Sequence, residues 1–214
     1  MTPPGLFITL EGIEGAGKST VARWVREWLD RRAIRAILTR EPGGTALAER
    51  VRQVVLERGA ERLSPVTETL LMFAARGIHV ENLIRPALER GDWVVCDRFT
   101  DATLAYQGGG RGIDAAWIES LASQVLAGLR PHCTLLLDLP VPLGLERARS
   151  RHAGLDRFEA EAQGFFERVR AAYLKLARRE PKRMHVIDAS VALEAVERQV
   201  AAVLEQLPMA GRAP

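Results

Sequence analysis

The stretch LFITLEGIEGAGKST, residues 6–20, decides how the rest of the chain is read. Leu6 to Glu11 have the length and apolar character of a buried strand, and they deliver the chain straight into a glycine turn. Gly12, Gly17, Lys18 and Ser19 satisfy the spacing G-x-x-x-x-G-K-[ST], and Val21, Trp24, Val25, Trp28 and Leu29 then recur at helical spacing. A strand, a glycine turn and a helix in succession form a phosphate cradle: backbone N–H groups wrap an anion only where side chains stand clear, and Gly15, Ala16 and Gly17 leave the approach open. The loop Gly12, Ile13, Glu14, Gly15, Ala16, Gly17, Lys18, Ser19 and Thr20 is therefore expected to hold ATP, with Lys18 on the β- and γ-phosphates and the Ser19 hydroxyl on Mg²⁺. Glu14 is out of place beside phosphates, and it either turns toward a cation or meets the acceptor.

Four further apolar runs follow the first: IRAILTR (34–40), DWVVCD (92–97), CTLLLDL (133–139) and MHVIDA (184–189). Each is too apolar for a half-solvated strand, so together with 6–11 they predict a five-stranded parallel sheet covered on both faces. Helical stripes fill the intervals, among them Phe158, Phe165, Val169, Tyr173 and Leu176, then Leu193, Val196, Val200 and Val203; these read as core or subunit interface. The expected fold is an α/β/α sandwich of the P-loop NTPase type, built from right-handed crossovers. Neither a linker nor an internal repeat divides the 214 residues, which are expected to form one domain, 1–214.

Composition narrows the function classes. Hydrophobic residues make up 47% and charged residues 27%, the balance of a globular chain with ample core. A net charge of +3 does not announce nucleic-acid binding, and the arginine excess suits an anionic small-molecule site equally well. Cys96 and Cys133 sit in apolar runs as small hydrophobes, and His79, His132, His152 and His185 lack metal-ligand spacing. With no apolar run long enough for a membrane span and no leader pattern at the start, a cytoplasmic location is expected.

Ligands of such sheets lie beyond the carboxyl ends of strands, which directs attention to Glu11, Arg40, Asp97 and Asp138. Asp97 is placed to hold the metal or its water, and Arg98 to take a phosphate on a two-pronged hydrogen bond; a structural ion pair is the alternative. Downstream, Arg147, Arg149, Arg151 and Arg157 crowd RARSRHAGLDR, and Gly154 breaks the helix there. An arginine-rich lid over about 147–157 or a solvated basic face both fit that pattern.

Three stretches make the reading more particular. TREPGGT (39–45), CDRFTDATLAYQGGGRG (96–112) and LDRFE (155–159), together with GIEGAGKST, resemble bacterial thymidylate kinase over nearly the whole chain. The resemblance implies transfer of the γ-phosphoryl of ATP to dTMP, giving ADP and dTDP, by a homodimer that pairs through helices near 46–58 and 65–89. It implies catalysis by Lys18, Arg98 and a lid arginine, Arg151 with Arg149 close behind, since a carboxylate at Glu14 marks the branch of the family that draws its catalytic arginine from the lid. It places Glu41, Pro42 and Arg52 beside the monophosphate, with a cis bond at Glu41-Pro42, and Arg76, Thr103 and Gln107 at the thymine edge. Tyr106 would crowd the sugar, and Ser19 and Asp97 would hold Mg²⁺. Phe73 is the expected stacking residue, although it stands three residues from Arg76 where many relatives have four, which leaves Met72 as the alternative. A kinase for another pyrimidine nucleoside monophosphate is the competing reading; a GTPase-type switch would need N-K-x-D, which the sequence lacks.

Overall fold

The computed structural model describes residues 5–57, 61–150, 158 and 161–208. Five parallel strands form one sheet in the order β2-β3-β1-β4-β5: β1 (Phe7–Glu11), β2 (Ala36–Arg40), β3 (Trp93–Asp97), β4 (Cys133–Asp138) and β5 (Met184–Asp188). The predicted runs are all strands, shorter by one or two residues at an end. Every residue of β1 is buried, as are all but the last residues of β3 and β4, because helices cover both faces of the middle of the sheet. The edge strands depart from the expectation. β2 is only partly covered, and Val186 of β5 is 48% exposed, because an edge strand has a neighbour on one side only.

Helices connect the strands: α1 (Lys18–Asp30), α2 (Ala46–Leu56), α3 (Pro65–His79), α4 (Arg85–Glu89), α5 (Thr100–Thr103), α6 (Ala115–Leu126), α7 (Val141–Arg149), α8 (Gln163–Arg179) and α9 (Leu193–Leu204). Wider π-type turns at Val80–Ile84 and Leu104–Gly110 join α3 to α4 and extend α5. Local chemistry starts several of these helices. The Thr45, Ser64 and Asp114 side chains accept from backbone N–H groups of α2, α3 and α6, and Pro65 occupies the first turn of α3 where its missing N–H costs nothing.

Two helical stripes differ from the pattern. Phe158 lies in a turn outside α8, which begins at Gln163, yet it is buried and meets the Tyr106 ring edge-on at 6.0 Å. Its side chain joins the core without continuing the helix. Leu193, at the first position of α9, is 45% exposed, while Val196 and Val200 carry the buried face.

Order in the sheet positions the site. β1 pairs on one side with β3, Leu10 opposite Asp97, and on the other with β4, Glu11 opposite Leu136. The loop after β1 and the turn after β3 therefore emerge side by side, at the crevice where strand order reverses.

Candidate active site

A cleft of about 400 Å³ opens at these carboxyl ends. Glu14, Gly15, Lys18 and Ser19 line one wall, Asp97 and Arg98 adjoin them, and Glu41, Pro42, Arg52, Arg76, Thr103, Tyr106 and Gln107 line the rest. Thirteen of the residues singled out from the sequence thus converge on one cavity, although they come from five separate stretches of chain.

The phosphate loop owes its shape to close backbone packing. Gly12 has φ 138°, and a Cβ there would collide with the Leu137 carbonyl; Gly15 has φ 76°, and a Cβ there would collide with the Gly144 carbonyl of α7. Gly17, also left-handed, turns the chain into α1, whose first residues, Lys18 and Ser19, line the cleft. Lys18 is 8% exposed, and its Nζ donates to the Gly12 and Ile13 carbonyls at 3.0 and 2.9 Å. Burial, and the nearby Arg98 charge, pull its ammonium down to about 8, against Asp97, Glu14 and Glu11, which favour the charged form.

Arg98 adopts φ 70°, a left-handed conformation that a non-glycine residue holds only when its surroundings impose it. Those surroundings are specific. The Arg98 N–H donates to the Leu10 carbonyl at 2.9 Å, and the next N–H, of Phe99, donates to Glu11 Oε1 at 2.7 Å. Glu11 is fully buried with Tyr173 Oη donating to its other oxygen at 2.7 Å; burial, and the charge of Asp101, push its carboxyl up to about 8. The Arg98 guanidinium is thereby fixed over the cleft. Nη2 donates to Glu14 Oε1 at 2.6 Å and to Tyr106 Oη at 3.0 Å, Nη1 donates to the Gly12 carbonyl at 3.1 Å, and Tyr106 Oη donates to Glu14 Oε2 at 2.7 Å. This resolves the oddity of Glu14. Its carboxylate is taken by the Arg98 cation and the Tyr106 hydroxyl.

Ser19 Oγ donates to Asp97 Oδ2 at 3.1 Å, bringing a hydroxyl oxygen and a carboxylate oxygen to the mouth of the cradle. Adjacent ligands of an octahedral Mg²⁺ at about 2.1 Å stand about 3.0 Å apart, so this pair has the spacing and the hard-oxygen chemistry that the ion needs. No group of three or more acidic, histidine or cysteine ligands occurs among the described residues.

The opposite end of the cleft is buried and polar. Glu41 and Arg76 form an ion pair at 2.6 Å with side chains 3% exposed, Arg76 Nη1 donates to Thr103 Oγ1 at 3.0 Å, and Nη2 donates to the Phe99 carbonyl at 3.0 Å. His79 stands behind them at 0% exposure, its Nδ1 3.0 Å from Glu41 Oε1 and Nε2 2.7 Å from Thr39 Oγ1; like a core histidine, it braces this cluster. Arg52 Nη1 donates to the Pro42 carbonyl at 2.8 Å, and the Glu41-Pro42 bond is cis as anticipated.

Several expectations need correction. Met72 lines the cleft, whereas Phe73 is buried beside it, 5.0 Å from the Arg76 guanidinium. The reason is angular: Glu68, Met72 and Arg76 repeat every four residues and share one face of α3, while Phe73 points about 100° away from Met72. Asp138 is taken by Arg170 of α8 in a two-pronged pair at 2.7 and 2.8 Å and serves the fold. Arg147 donates to the Ala189 carbonyl at 2.8 Å, and Arg149 is exposed at the end of α7, although Ala148 between them lines the cleft. Arg151, with most of the expected lid, lies outside the described residues. Gly12, Ile13, Ala16, Gly17 and Thr20 shape the loop without lining the cleft wall. Arg40, expected at a strand end, does line the cleft; Phe158, read only as core, lines it as well, and Glu68, which holds Gln107, was passed over although its spacing from Met72 and Arg76 could have revealed it.

The chain resembles known proteins along almost its full length. The family model described as thymidylate kinase matches residues 10–200. A curated thymidylate kinase of Alkalilimnicola ehrlichii is 56% identical over 192 residues, covering 90% of this chain and 88% of its own. One from Pseudomonas fluorescens is 54% identical over 203 residues, covering 95% and 96%. The crystal structure of thymidylate kinase from Ehrlichia chaffeensis superposes with a TM-score of 0.78 at 33% identity, covering 94% of this chain and all of that one. A phosphate loop beside an Asp-Arg turn, in a cleft ending in a buried Arg-Thr-Gln set, thus accompanies homology along almost the full length: the chain belongs to the thymidylate kinase family.

Proposed function

We propose that this chain transfers the γ-phosphoryl group of ATP to dTMP, giving ADP and dTDP, as one catalytic domain acting in the cytoplasm. The observation that carries the reading is the single cleft that has the phosphate loop and Arg98 at one end and Arg76, Thr103 and Gln107 at the other. That arrangement fits an ATP phosphate tail meeting an acceptor phosphate whose base is read in a buried pocket. Loop amides and Lys18 bind the donor phosphates, and Arg98 grips the acceptor phosphate, having spent three of its five N–H donors on Glu14, Tyr106 and Gly12. Arg52 and Pro42 flank that phosphate, Tyr106 packs the sugar, and Met72 faces the base. Ser19 and Asp97 would hold Mg²⁺, which when bound would neutralise phosphate charge. Arg149, at the end of α7, and Arg151 after it in sequence would supply the closing arginine. Catalysis on this reading is positioning and electrostatics, with no general base required.

The test is an ADP-release assay with Mg²⁺-ATP and a panel of acceptors: dTMP, dUMP, UMP, CMP, AMP, GMP and thymidine. Fast turnover of dTMP with a weaker rate on dUMP is expected, because one methyl group in an apolar pocket distinguishes substrates by about 10- to 200-fold. Silence on dTMP while another pyrimidine monophosphate turns over would move the assignment to that substrate.

The homodimer belongs to the same proposal. Leu47 and Val54 of α2 and Val66 and Leu70 of α3 are 47–52% exposed, and α2 packs on α3, so two adjoining helices present apolar side chains to solvent. Such a patch suits a self-complementary interface. Sedimentation at micromolar concentration is expected to give twice the 23.6 kDa of one chain, and a monomer there would refute the pairing.

A further inference from the structure

Glu68 is a buried carboxylate to which the phosphoryl-transfer reading gives no task. It lies on the cleft-facing side of α3, one turn before Met72 and two before Arg76, and is 1% exposed. Its Oε1 accepts from Gln107 Nε2 at 2.8 Å and from Arg111 Nε at 3.4 Å, and Arg111 is held in turn by Glu161 at 2.6 Å. Gln107 is also 1% exposed, yet it lines the cleft. An amide looks nearly the same with its oxygen and nitrogen exchanged, so shape alone does not decide which end faces a ligand. Chemistry decides here: a carboxylate only accepts, so the NH₂ end must face Glu68, and the carbonyl is the end left for the cleft.

We propose that Glu68 is a positioning residue for base selection, fixing the Gln107 amide so that its carbonyl, and not its NH₂, meets the pyrimidine. The inference rests on the reading above that a pyrimidine monophosphate lies with its base at Arg76, Thr103 and Gln107. A fixed acceptor pairs with a base that carries a proton on N3, as thymine and uracil do. It faces lone pair to lone pair with cytosine, whose N3 is itself an acceptor. Arg76 acts in the same sense from the other side, since a guanidinium only donates and so favours a ring carbonyl over an amine. Holding Glu68 and Gln107 against each other in a buried site makes the discrimination costly to escape, because the wrong base leaves a polar group unpaired.

The decisive comparison is dTMP against 5-methyl-dCMP, which has the same outline and methyl group but the opposite hydrogen-bonding sense at N3 and position 4. In Glu68→Gln the new amide can accept from Gln107 or donate to it, which releases the flip. KM for dTMP is expected to rise about tenfold with kcat moved by less than about threefold, and the dTMP to 5-methyl-dCMP ratio of kcat/KM to fall about tenfold. The swap Glu68→Gln with Gln107→Glu keeps the charge and the hydrogen bond and again leaves only acceptors facing the base, so it is expected to restore the ratio. A ratio that stays at the wild-type value in Glu68→Gln, whether both substrates are unaffected or both weaken together, removes the role from Glu68. Should that variant fail to give a cooperative melt, the swap decides alone, supporting the role at a wild-type ratio and refuting it at a lowered one. Absence of dTMP turnover in the wild type would overturn the functional reading and this inference together, whereas wild-type turnover with an unmoved ratio in Glu68→Gln overturns only the inference.

Discussion

Arg98→Ala is expected to lower turnover of dTMP by about 10³- to 10⁵-fold, the range over which a single arginine on a transferring phosphoryl group acts. The side chain is fixed on three sides, by Glu14, Tyr106 and the Gly12 carbonyl, and Arg98 lines the cleft. Little rearrangement is therefore needed to meet an acceptor phosphate, and that preorganisation is what alanine removes. The fold is expected to survive, since the backbone at 98 is held by the Leu10 carbonyl and the neighbouring Phe99 N–H by Glu11, neither through the lost side chain. Steady-state rates alongside a thermal melt check both halves; near-normal turnover would take the acceptor phosphate away from Arg98. Arg98→Lys separates charge from geometry. A point charge in place of the planar fork should recover only a small part of the loss.

The second large effect concerns Lys18. In Lys18→Met the apolar stem is kept and the ammonium is lost, and kcat/KM for ATP is expected to fall by about 10²- to 10³-fold, the cost of removing one preorganised donor from developing charge. Stability should respond in the opposite direction. Burial depresses the wild-type lysine from 10.5 to about 8, so between those values the unfolded chain binds more protons than the folded one, and folding becomes more favourable as pH rises. Below pH 8 both states are protonated and the folded protein bears the full penalty of a buried ammonium. The variant bears none. Urea unfolding should therefore find Lys18→Met at least as stable as wild type at pH 7, with the wild type gaining on it by at most about 1.4 kcal/mol per pH unit between 8 and 10.5. A variant that is less stable at pH 7, or a difference that does not narrow with pH, would show that the loop carbonyls fully compensate the buried charge.

Much of the fold is legible because its signals are local. Five apolar runs become five strands, since a strand covered on both faces must be apolar throughout; the cap residues Thr45, Ser64 and Asp114 start the helices that their chemistry favours. The phosphate loop is the clearest case. Gly12 and Gly15 are demanded by left-handed backbone pressed against neighbouring carbonyls, a constraint that leaves its mark in the sequence as glycine. Errors fell where the local signal is ambiguous. Phe158 kept the period of α8 without belonging to it, and Asp138 had the place of a functional strand end until Arg170, 32 residues later, neutralised it.

Sequence by itself determined the fold class, the phosphate loop and, by resemblance, the family, because each of these depends on residue type at fixed short spacing. Tertiary structure alone decided which partner each polar side chain finds. That Glu14 faces Arg98, that Met72 rather than Phe73 meets the cleft, and that Glu68 holds Gln107 follow from placing β3 beside β1 and α3 beside the turn at Leu104–Gly110. These pairs are separated by 84 and 39 residues in the chain, and their hydrogen bonds are made only when packing excludes water and leaves each buried donor one acceptor within reach.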